Sequence, residues 1–322
     1  MAPLKVLLSS ARGFCAGVAR AVDTVDWAVK NHASPIYVRK QIVHNSLVVK
    51  TFEEQGVIFV DSLDEVPDGG TVIFSAHGVS PDVRIHAKTK RLNVIDATCP
   101  LVTKVHQEAI RFAKEGRSVI LIGEAQHDEV VGILGEVRDK IQLVRSVEDA
   151  KRVRVLEPDR VAVISQTTLS LDDTRLIVEV LRSRFPKLVT PVKDDICYAT
   201  QNRQAGVKAL AGKAEVVLVI GSCNSSNSNR LKEVAEEGGA RAYLIEGVEG
   251  IDQAWLAGAQ CIGVTAGASS PESLVQEVLD YFRRLGANQI EELESVAEDM
   301  SFARPPQLVQ LAALKMARLP CA

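Results

Sequence analysis

Short runs of Val, Ile and Leu recur along the chain, and most are followed by a polar turn and then a helix-like stretch. Examples are SVILI at 118–122 and VVLVI at 216–220. Apolar runs of this length are typical of strands buried on both faces, and strands that alternate with helices predict mostly parallel sheets. We therefore expect an α/β fold whose polar turns lie at the carboxyl ends of the strands, where such sheets bind ligands.

The pattern of strand, turn and helix occurs three times around a cysteine. Cys15, Cys99 and Cys197 each follow an apolar strand and a polar turn and precede a helix-like stretch, and they lie 84 and 98 residues apart. Internal repeats of this length indicate structural units that pack against one another. The repeat predicts three similar α/β lobes around a pseudo-threefold axis, with a cluster site at their common centre.

Two further elements recur in the same order within each repeat. His44, His127 and Ser225 lie 28 or 29 residues after the three cysteines. A third element aligns without gaps in VIFSAHGVSPD, AVISQTTLSLDD and IGVTAGASSPES. Each of these segments contains a Ser followed two residues later by an acidic residue, which resembles the start of a helix. Each repeat therefore supplies three strand-end loops.

The limits of the repeat suggest how the chain is divided. We expect a first lobe over residues 1–97, a second over 98–193 and a third over 194–285. Residues 286–322 lack the repeat pattern and are expected to form a C-terminal tail. The N-terminal strand precedes the first cysteine, so it could pack with the third lobe instead of the first.

Composition and charge limit the classes of protein to which this chain can belong. The 322 residues are 46% hydrophobic and 4% aromatic, with a net charge of −3 and a pI near 6.1. No broad basic face for nucleic acid is indicated, and no apolar stretch reaches the roughly 18–20 residues needed to span a bilayer. Arg12 interrupts the short apolar N-terminus, which argues against a signal peptide. We expect a cytoplasmic enzyme with neither a nucleic-acid nor a membrane partner.

The six cysteines point to metal chemistry. In a reducing compartment they are more plausibly ligands, catalytic thiols or core residues than disulfides, and no CxxC pair occurs. Three thiolates at equivalent repeat positions match three corners of a [4Fe–4S] cubane and leave one iron open, although zinc remains an alternative. An open iron can act as a Lewis acid on a substrate oxygen. Outside the threefold pattern, Cys261 is expected in the core, Cys321 in the tail and Cys223 in a polar turn.

Polar side chains fill the strand-end loops of all three repeats. They are His44, His77, His127, Thr167, Thr168, Ser225, Ser226, Asn227 and Ser269. Hydroxyl, amide and imidazole donors, together with helix N-termini, can bind an anion such as a diphosphate without Arg or Lys. Glu129 lies two residues after His127 and is a candidate proton donor beside the metal. His32, His86 and His106 lie in charged, helix-like stretches and are expected to be exposed.

Eight motifs carry a resemblance to a known family. They are ARGFCAG, YVRKQIVHN, FSAHGVS, DATCPLVTKVH, SQTTLS, DDICYATQNRQ, GSCNSSNSNRL and VTAGAS. Over about residues 4–280 the chain resembles the 4-hydroxy-3-methylbut-2-enyl diphosphate reductases, which act last in the methylerythritol phosphate route to isoprenoids. The resemblance implies reductive dehydroxylation of this allylic diphosphate to isopentenyl and dimethylallyl diphosphate, with the substrate oxygen at the open iron of a [4Fe–4S] cluster. A ferredoxin or flavodoxin would donate the electrons.

The resemblance also implies roles for individual residues. It assigns cluster ligation to Cys15, Cys99 and Cys197 and diphosphate binding to His44, His77, Ser225, Ser226, Asn227 and Ser269. It places His127 and Thr167 in the substrate pocket, with Glu129 as the proton donor. This chain departs from the family pattern mainly between Gln126 and Glu136, where Asp128 replaces Pro, Val131 an acidic residue and Ile133 Thr. Cys223 stands where a Lys is usual.

Two other interpretations remain open at this stage. A three-lobed [4Fe–4S] enzyme that acts on a dicarboxylate, in the manner of quinolinate synthase, would predict Arg residues in the strand-end loops. A non-catalytic iron–sulfur sensor would predict an appended DNA-binding or partner-binding element and a dispensable Glu129. The loops contain His, Ser, Thr and Asn instead of Arg, and no basic helix-turn-helix is evident. Both observations favour the reductase.

Overall fold

The structure is a computed structural model that describes residues 4–32, 35–294 and 298–308. The strands in these ranges are β1 (Lys5–Ser9), β2 (Ile36–Arg39), β3 (Val57–Val60), β4 (Thr71–Phe74), β5 (Asn93–Asp96), β6 (Ser118–Ile122), β7 (Ile141–Val144), β8 (Val161–Ser165), β9 (Val216–Ile220), β10 (Arg241–Ile245), β11 (Cys261–Ala266) and β12 (Gln289–Leu293). The α-helices are α1 (Ala16–Asn31), α2 (Ser46–Glu54), α3 (Pro81–Thr89), α4 (Pro100–Lys114), α5 (Asp128–Glu136), α6 (Val147–Arg152), α7 (Leu171–Arg184), α8 (Tyr198–Ala211), α9 (Ser226–Glu237), α10 (Gln253–Leu256) and α11 (Glu272–Arg284).

The strands form three separate sheets, in which all the strand pairings are parallel. Their orders are β3-β2-β4-β5, β7-β6-β8 and β10-β9-β11-β1-β12. An α-helix lies between most successive strands, as is usual for parallel pairing, whereas β3 and β4 are joined through the short 3-10 helix Leu63–Glu65. The predicted α/β fold with three mostly parallel sheets is confirmed.

The three sheets share one topology. In each, the first strand of the repeat lies at the centre, the second on one side and the third on the other, which gives β3-β2-β4, β7-β6-β8 and β10-β9-β11. Beyond the third strand lies the segment that leads to the next cysteine: β5 before Cys99 and β1 before Cys15. In the second sheet an isolated parallel bridge between Ala162 and Val189 occupies this place, ahead of Cys197. In each sheet, therefore, the segment that delivers a cysteine to the following lobe pairs with the third strand of the repeat.

This topology explains two features at the ends of the chain. The N-terminal strand β1 pairs with β11 and so belongs to the third sheet, which was one of the two placements considered from the sequence. The expectation of a tail from residue 286 onward is wrong for β12, which pairs with β1 at the edge of the same sheet. Its sequence, QIEEL, lacks an apolar run because an edge strand is exposed. Residues 309–322, including Cys321, lie outside the described residues, and the division at 97, 193 and 285 stays a prediction.

Each sheet is buried on both faces, as the uninterrupted apolar runs predicted. On β1, for example, Val6 and Leu8 pack in a cluster with Phe282 of α11, whereas Leu7 packs on the opposite face with Leu210 of α8 and Leu231 of α9. Successive side chains of a strand point to opposite faces, so a sheet covered by helices on both sides needs apolar residues at every position. Among the described residues, no helix is both long and apolar enough to cross a bilayer.

Two of the three helix starts predicted from the Ser–x–acidic pattern are at the expected residue. Ser80 precedes α3, and Ser170 precedes α7 and accepts a hydrogen bond from the Asp173 N–H at 3.2 Å. The third helix, α11, begins one residue later, after Pro271. There the Ser270 hydroxyl donates to the Ile220 carbonyl at 2.8 Å, so it ties two strand-end loops together instead of capping the helix.

A buried arginine joins α8 to both ends of the chain. The side chain of Arg203 is fully buried, and its guanidinium donates to the carbonyl of Gly13 at 2.7 Å and to the carboxylate of Glu298 at 3.0 Å. Gly13 lies in the loop between β1 and α1, with a φ of 67°. A buried guanidinium needs such partners because an unpaired charge inside a protein is costly. Arg203 therefore fixes the loop that leads to Cys15 against the third lobe.

Replacing this arginine should destabilise the fold. We expect Arg203→Leu to lower the free energy of unfolding by about 3–5 kcal/mol, because it removes the donor to the Gly13 carbonyl and the cationic partner of the Glu298 carboxylate, which keeps the Asn202 amide as a donor. A guanidinium denaturation curve measures the change. The matched control is Arg241→Leu at an exposed position of β10, for which a change within about 0.5 kcal/mol is expected. Equal curves for the two variants would contradict the role given to Arg203.

Candidate active site

A single cavity lies at the carboxyl ends of the strands of the three sheets. It contains every site residue predicted from the sequence. Its lining includes Cys15, Cys99, Cys197, His44, His77, His127, Glu129, Thr167, Ser225, Ser226, Asn227 and Ser269, together with Thr168. These residues come from all three repeats and lie far apart in the sequence. The structure thus brings the twelve residues together, while the role of each stays a prediction.

The three cysteines are held by equivalent backbone contacts. The amide of Cys15 donates to the Ala268 carbonyl at 3.1 Å, that of Cys99 to the Ala76 carbonyl at 3.0 Å and that of Cys197 to the Thr167 carbonyl at 3.0 Å. Each acceptor lies in the turn after the third strand of the preceding repeat. Each cysteine is also the N-cap residue of the next helix, namely α1, α4 or α8. The repeat therefore fixes both the position and the direction of the three thiols.

The sulfur atoms face a small protein-lined space. A Cβ atom built on Gly17 would come within 2.6 Å of the Cys99 Sγ and 3.9 Å of the Cys15 Sγ, so only a glycine fits between them. Burial raises the pKa of Cys99 to about 12 and that of Cys197 to about 11. Buried thiols of this kind lose their protons when they bind a metal, and the helix N-termini behind them favour negative charge. The donor set is suited to a soft metal centre.

Glu129 is a buried carboxyl group with two fixed hydrogen bonds. It lies in the first turn of α5, is only 2% exposed, and accepts from the Thr167 N–H and the Thr167 hydroxyl, each at 2.8 Å. Burial raises its pKa to about 7, and this effect outweighs the two hydrogen bonds that favour the charged form. A carboxyl group with this pKa can hold a proton near neutral pH and release it during a reaction.

Three imidazoles form one wall of the cavity. The rings of His44 and His77 stack with centroids 4.0 Å apart, and His127 contacts both edge-on at 5.4 and 5.5 Å. Burial lowers the pKa of all three rings, to about 4 for His44, so they are neutral at pH 7. The Nδ1 of His127 accepts from the Glu129 N–H at 3.2 Å, which leaves its proton on Nε2. The wall therefore offers neutral imidazole groups for hydrogen bonding.

The loop before α9 supplies further donors. The Asn227 Oδ1 accepts from the Ala268 N–H at 2.9 Å, which fixes the amide, but its Nδ2 is buried without a hydrogen-bond partner. A buried donor without a partner is costly, so such a group in a cavity points to a ligand acceptor. Ser225 caps α9, and the Ser226 hydroxyl donates to Glu124 at 3.1 Å. The N-terminus of α9 and this amide suit an anion.

The structure adds residues that sequence reasoning missed. Thr200 lines the cavity, and its hydroxyl lies 3.2 Å from the Cys197 Sγ. Its position one helical turn after the cysteine could have signalled this contact. An apolar part of the wall consists of Val18, Val43, Ala76, Leu101, Val102 and Ala268. The sequence pattern predicts ordinary core positions for these residues, because apolar residues in a cavity wall and in a core have the same pattern.

The expectation that His106 is exposed is wrong. This side chain of α4 is buried, and its Nδ1 lies 2.8 Å from the Glu136 Oε1 of α5. Room for it is left by Gly78 and Gly132, where an added Cβ would approach its Nε2 to 3.1 and 3.3 Å. This space depends on glycines distant in sequence, so the burial of His106 could not be predicted from the charged residues around it. By contrast, His86 is 38% exposed and pairs with Asp64, and His32 is half-buried.

Four positions that depart from the family pattern have different surroundings. Ile133 is fully buried in the core of the second lobe, and Val131 is 50% exposed. Asp128 instead lies against the imidazole wall, where its carboxylate acts electrostatically on His44 and His127. Cys223 is exposed in the turn before α9 and does not line the cavity. Of these substitutions, Asp128 places a charge that acts on the imidazole wall.

The chain is similar to known proteins over most of its length. The model of the LytB protein family matches residues 6–283. A protein of Acidothermus cellulolyticus named 4-hydroxy-3-methylbut-2-enyl diphosphate reductase is 56% identical over 305 residues, which cover 94% of this chain and 90% of that protein. A protein of an Azoarcus species with the same name is 52% identical over 304 residues, covering 94% of this chain and 97% of its own length.

Two solved structures are similar over most of their length. One is the E-1-hydroxy-2-methyl-but-2-enyl-4-diphosphate reductase from Plasmodium falciparum, with 36% identity, a TM-score of 0.95 and coverage of 98% of this chain and 99% of that one. The other is an (E)-4-hydroxy-3-methyl-but-2-enyl diphosphate reductase, with 33% identity, a TM-score of 0.63 and coverage of 87% and 99%. The resemblance inferred from the eight motifs is confirmed, and the chain belongs to the LytB protein family.

Proposed function

We propose that this protein reduces (E)-4-hydroxy-3-methylbut-2-enyl diphosphate to isopentenyl and dimethylallyl diphosphate. The reaction adds two electrons and two protons to the substrate, breaks the allylic C–O bond and releases water. The observation that carries the proposal is the convergence of three repeat-equivalent thiols, a neutral carboxyl group and an unpaired amide donor in one cavity. The names of the relatives support the same substrate.

The three cysteines fit a [4Fe–4S] cluster with one open iron. Cys15, Cys99 and Cys197 come from equivalent positions, and the sulfur-lined space beside Gly17 admits no larger side chain. All-thiolate ligation from helix N-termini suits an iron–sulfur cluster better than zinc, whose catalytic sites usually include His. When bound, such a cluster supplies single electrons and a Lewis-acidic iron to the substrate.

The other end of the cavity is suited to the diphosphate. Asn227 offers its unpaired Nδ2–H, Ser225 and Ser226 lie at the N-terminus of α9, and the neutral imidazoles of His44 and His77 face the same space. We assign Ser269 to this group because its hydroxyl, which now donates to the His44 carbonyl at 2.8 Å, is in reach of the cavity. None of the cavity-lining residues in the described chain is Arg or Lys. Binding of a dicarboxylate through bidentate Arg pairs is therefore disfavoured.

Glu129 is the proton donor in this proposal. Thr167 holds both of its carboxyl oxygens, and His127 is linked to its backbone, so the group has one orientation towards the cavity. The neutral carboxyl can give its proton as the C–O bond breaks. A small reduced ferredoxin or flavodoxin is the proposed electron donor, and the cytoplasm is the proposed location because reducing conditions keep the thiols available as ligands.

The first test concerns the cluster ligands. We expect Cys99→Ser to lose the intact [4Fe–4S] cluster, because the remaining two thiols cannot hold three of its corners. Cys261→Ser is the matched control: it removes a half-buried thiol at the start of β11, remote from the cavity lining. Iron and sulfide analysis of anaerobically reconstituted protein measures both. A full complement of iron in Cys99→Ser would argue against the assignment.

The second test concerns Glu129. Glu129→Gln should keep the cluster and the fold but lower kcat by about 10²–10⁴, the usual contribution of general acid catalysis. Glu148→Gln is the control, since Glu148 occupies the same position in the first turn of α6 but is exposed. Turnover is measured anaerobically with the hydroxylated diphosphate and a chemical reductant. Undiminished product formation in Glu129→Gln would remove this residue from the mechanism.

The third test uses pH. Burial raises the pKa of Glu129 to about 7, and only the protonated carboxyl group can donate. We therefore expect kcat to be highest below pH 7 and to fall as the pH rises above about 7, where the group is ionised. The residual activity of Glu129→Gln should lack this decline. A decline of the same size in that variant would assign the titration to another group.

A further inference from the structure

Each of the three helices that begin after a cavity cysteine carries a basic residue in its second turn. These residues lie five, five and six positions after the cysteines and are Arg20 of α1, Lys104 of α4 and Arg203 of α8. The proposed reaction gives none of them a role. Basic residues at matching places in a threefold repeat indicate a shared task at the centre of the molecule.

All three basic side chains contact the loop that leads to the next cysteine in the ring. The Arg20 Nη1 donates to the Thr98 carbonyl at 2.9 Å, one residue before Cys99. Lys104 contacts the loop before the third cysteine. Arg203 closes the circle, because its guanidinium donates to the Gly13 carbonyl, two residues before the first cysteine. Each cysteine-bearing helix therefore holds the approach to the following cysteine.

Lys104 shows how such a contact fixes a loop. Its ammonium group donates to the carbonyls of Lys193 and Asp194 at 2.8 and 3.1 Å and to the Asp195 carboxylate at 2.9 Å. An ammonium group has three donors, so these acceptors use all of them. The other oxygen of the Asp195 carboxylate accepts from the Ser165 N–H at 2.9 Å, at the end of β8. The loop is thus tied both to α4 and to the second sheet.

The charge of Arg20 is the least offset of the three. The other two cations each form an ion pair with a carboxylate, whereas Arg20 forms none within the described ranges. It donates instead to the carbonyls of Thr98 and, at 2.7 Å, of Ala303. Burial lowers its pKa, Asp96 and a Cys99 thiolate act in the opposite direction, and a guanidinium stays charged in proteins. A positive charge without an ion-pair partner therefore acts on one of the three thiols.

We propose that Arg20, Lys104 and Arg203 are positioning residues for the cluster-binding cysteines. Each holds the loop before the next cysteine, so the three sulfur atoms have their spacing before iron binds. Arg20 in addition stabilises the negative charge that the cluster gains with an electron, because a nearby cation favours the reduced form. The inference rests on the proposed cluster but on none of the contacts to the allylic substrate.

The rate of iron release tests the positioning role. After anaerobic reconstitution, Lys104→Gln should release iron to a ferrous chelator about 10–100-fold faster than the unsubstituted protein, the usual effect of changing a residue behind the ligands of a metal site. Lys114→Gln is the matched control, since Lys114 is an exposed lysine of the same helix, and its release rate should not change. Lys104→Arg should restore slow release, because a guanidinium can donate to the same acceptors.

The reduction potential of the cluster tests the charge of Arg20. In a potentiometric titration followed by electron paramagnetic resonance, Arg20→Gln should lower the equilibrium constant for uptake of one electron by about tenfold, which corresponds to about 59 mV. Arg20→Lys keeps the charge and should keep the potential, whereas a purely structural role would shift both variants alike. Lys30→Gln, at an exposed position of α1, is the control and should leave the potential unchanged.

The possible failures can be told apart. Equal rates of iron release from Lys104→Gln and Lys114→Gln would overturn the positioning role, and equal potentials for Arg20→Gln and Arg20→Lys would overturn the charge role. Absence of a [4Fe–4S] cluster from the unsubstituted protein would overturn both this inference and the proposed cofactor. The expected rates and potentials without turnover of the allylic diphosphate would support this inference and contradict only the proposed reaction.

Discussion

Three backbone hydrogen bonds, one from each cysteine amide, link the lobes into a ring. Each amide donates to the strand-end turn of the preceding repeat: Cys99 to the first lobe, Cys197 to the second and Cys15 to the third. Because each cysteine also begins the next helix, one short contact fixes a sulfur atom, a helix N-terminus and the border between two lobes. The geometry of the centre therefore follows from the junctions between the lobes, and a ligand set drawn from distant parts of the chain needs no local motif.

The central cavity is built from neutral groups. Burial holds the imidazoles uncharged and keeps a proton on Glu129 near neutral pH, while the thiols of Cys99 and Cys197 give up protons only to a metal. The Asn227 Nδ2 is a neutral donor without a partner, so it lacks the strong, salt-dependent attraction for anions that Arg or Lys would add. The carboxylates of Asp128 and Glu124 act electrostatically on His44 and His127, and Arg39 attracts Asp128.

The sequence predicted the features that repeat and missed those that occur once. Threefold recurrence of apolar runs and cysteines was sufficient to predict three parallel sheets and the strand-end loops that line the cavity, but not Thr200. Strand β12 was not predicted because an exposed edge strand needs no apolar run. The burial of His106 was not predicted because it depends on the space beside Gly78 and Gly132, which exists only once the helices are packed. For the same reason, the unpaired Nδ2 of Asn227 is visible only in three dimensions.

The position of β1 has a consequence for folding during synthesis on the ribosome. Its pairing partners β11 and β12 begin at Cys261 and Gln289, so β1 can pair only after these distant segments have been made. Contacts this remote in sequence carry a large entropic cost of loop closure and slow the search for the native state. Until these segments are made, the apolar segment KVLLS lacks its strand partners and is open to mispairing. Closure of the ring therefore follows the synthesis of β11 and β12.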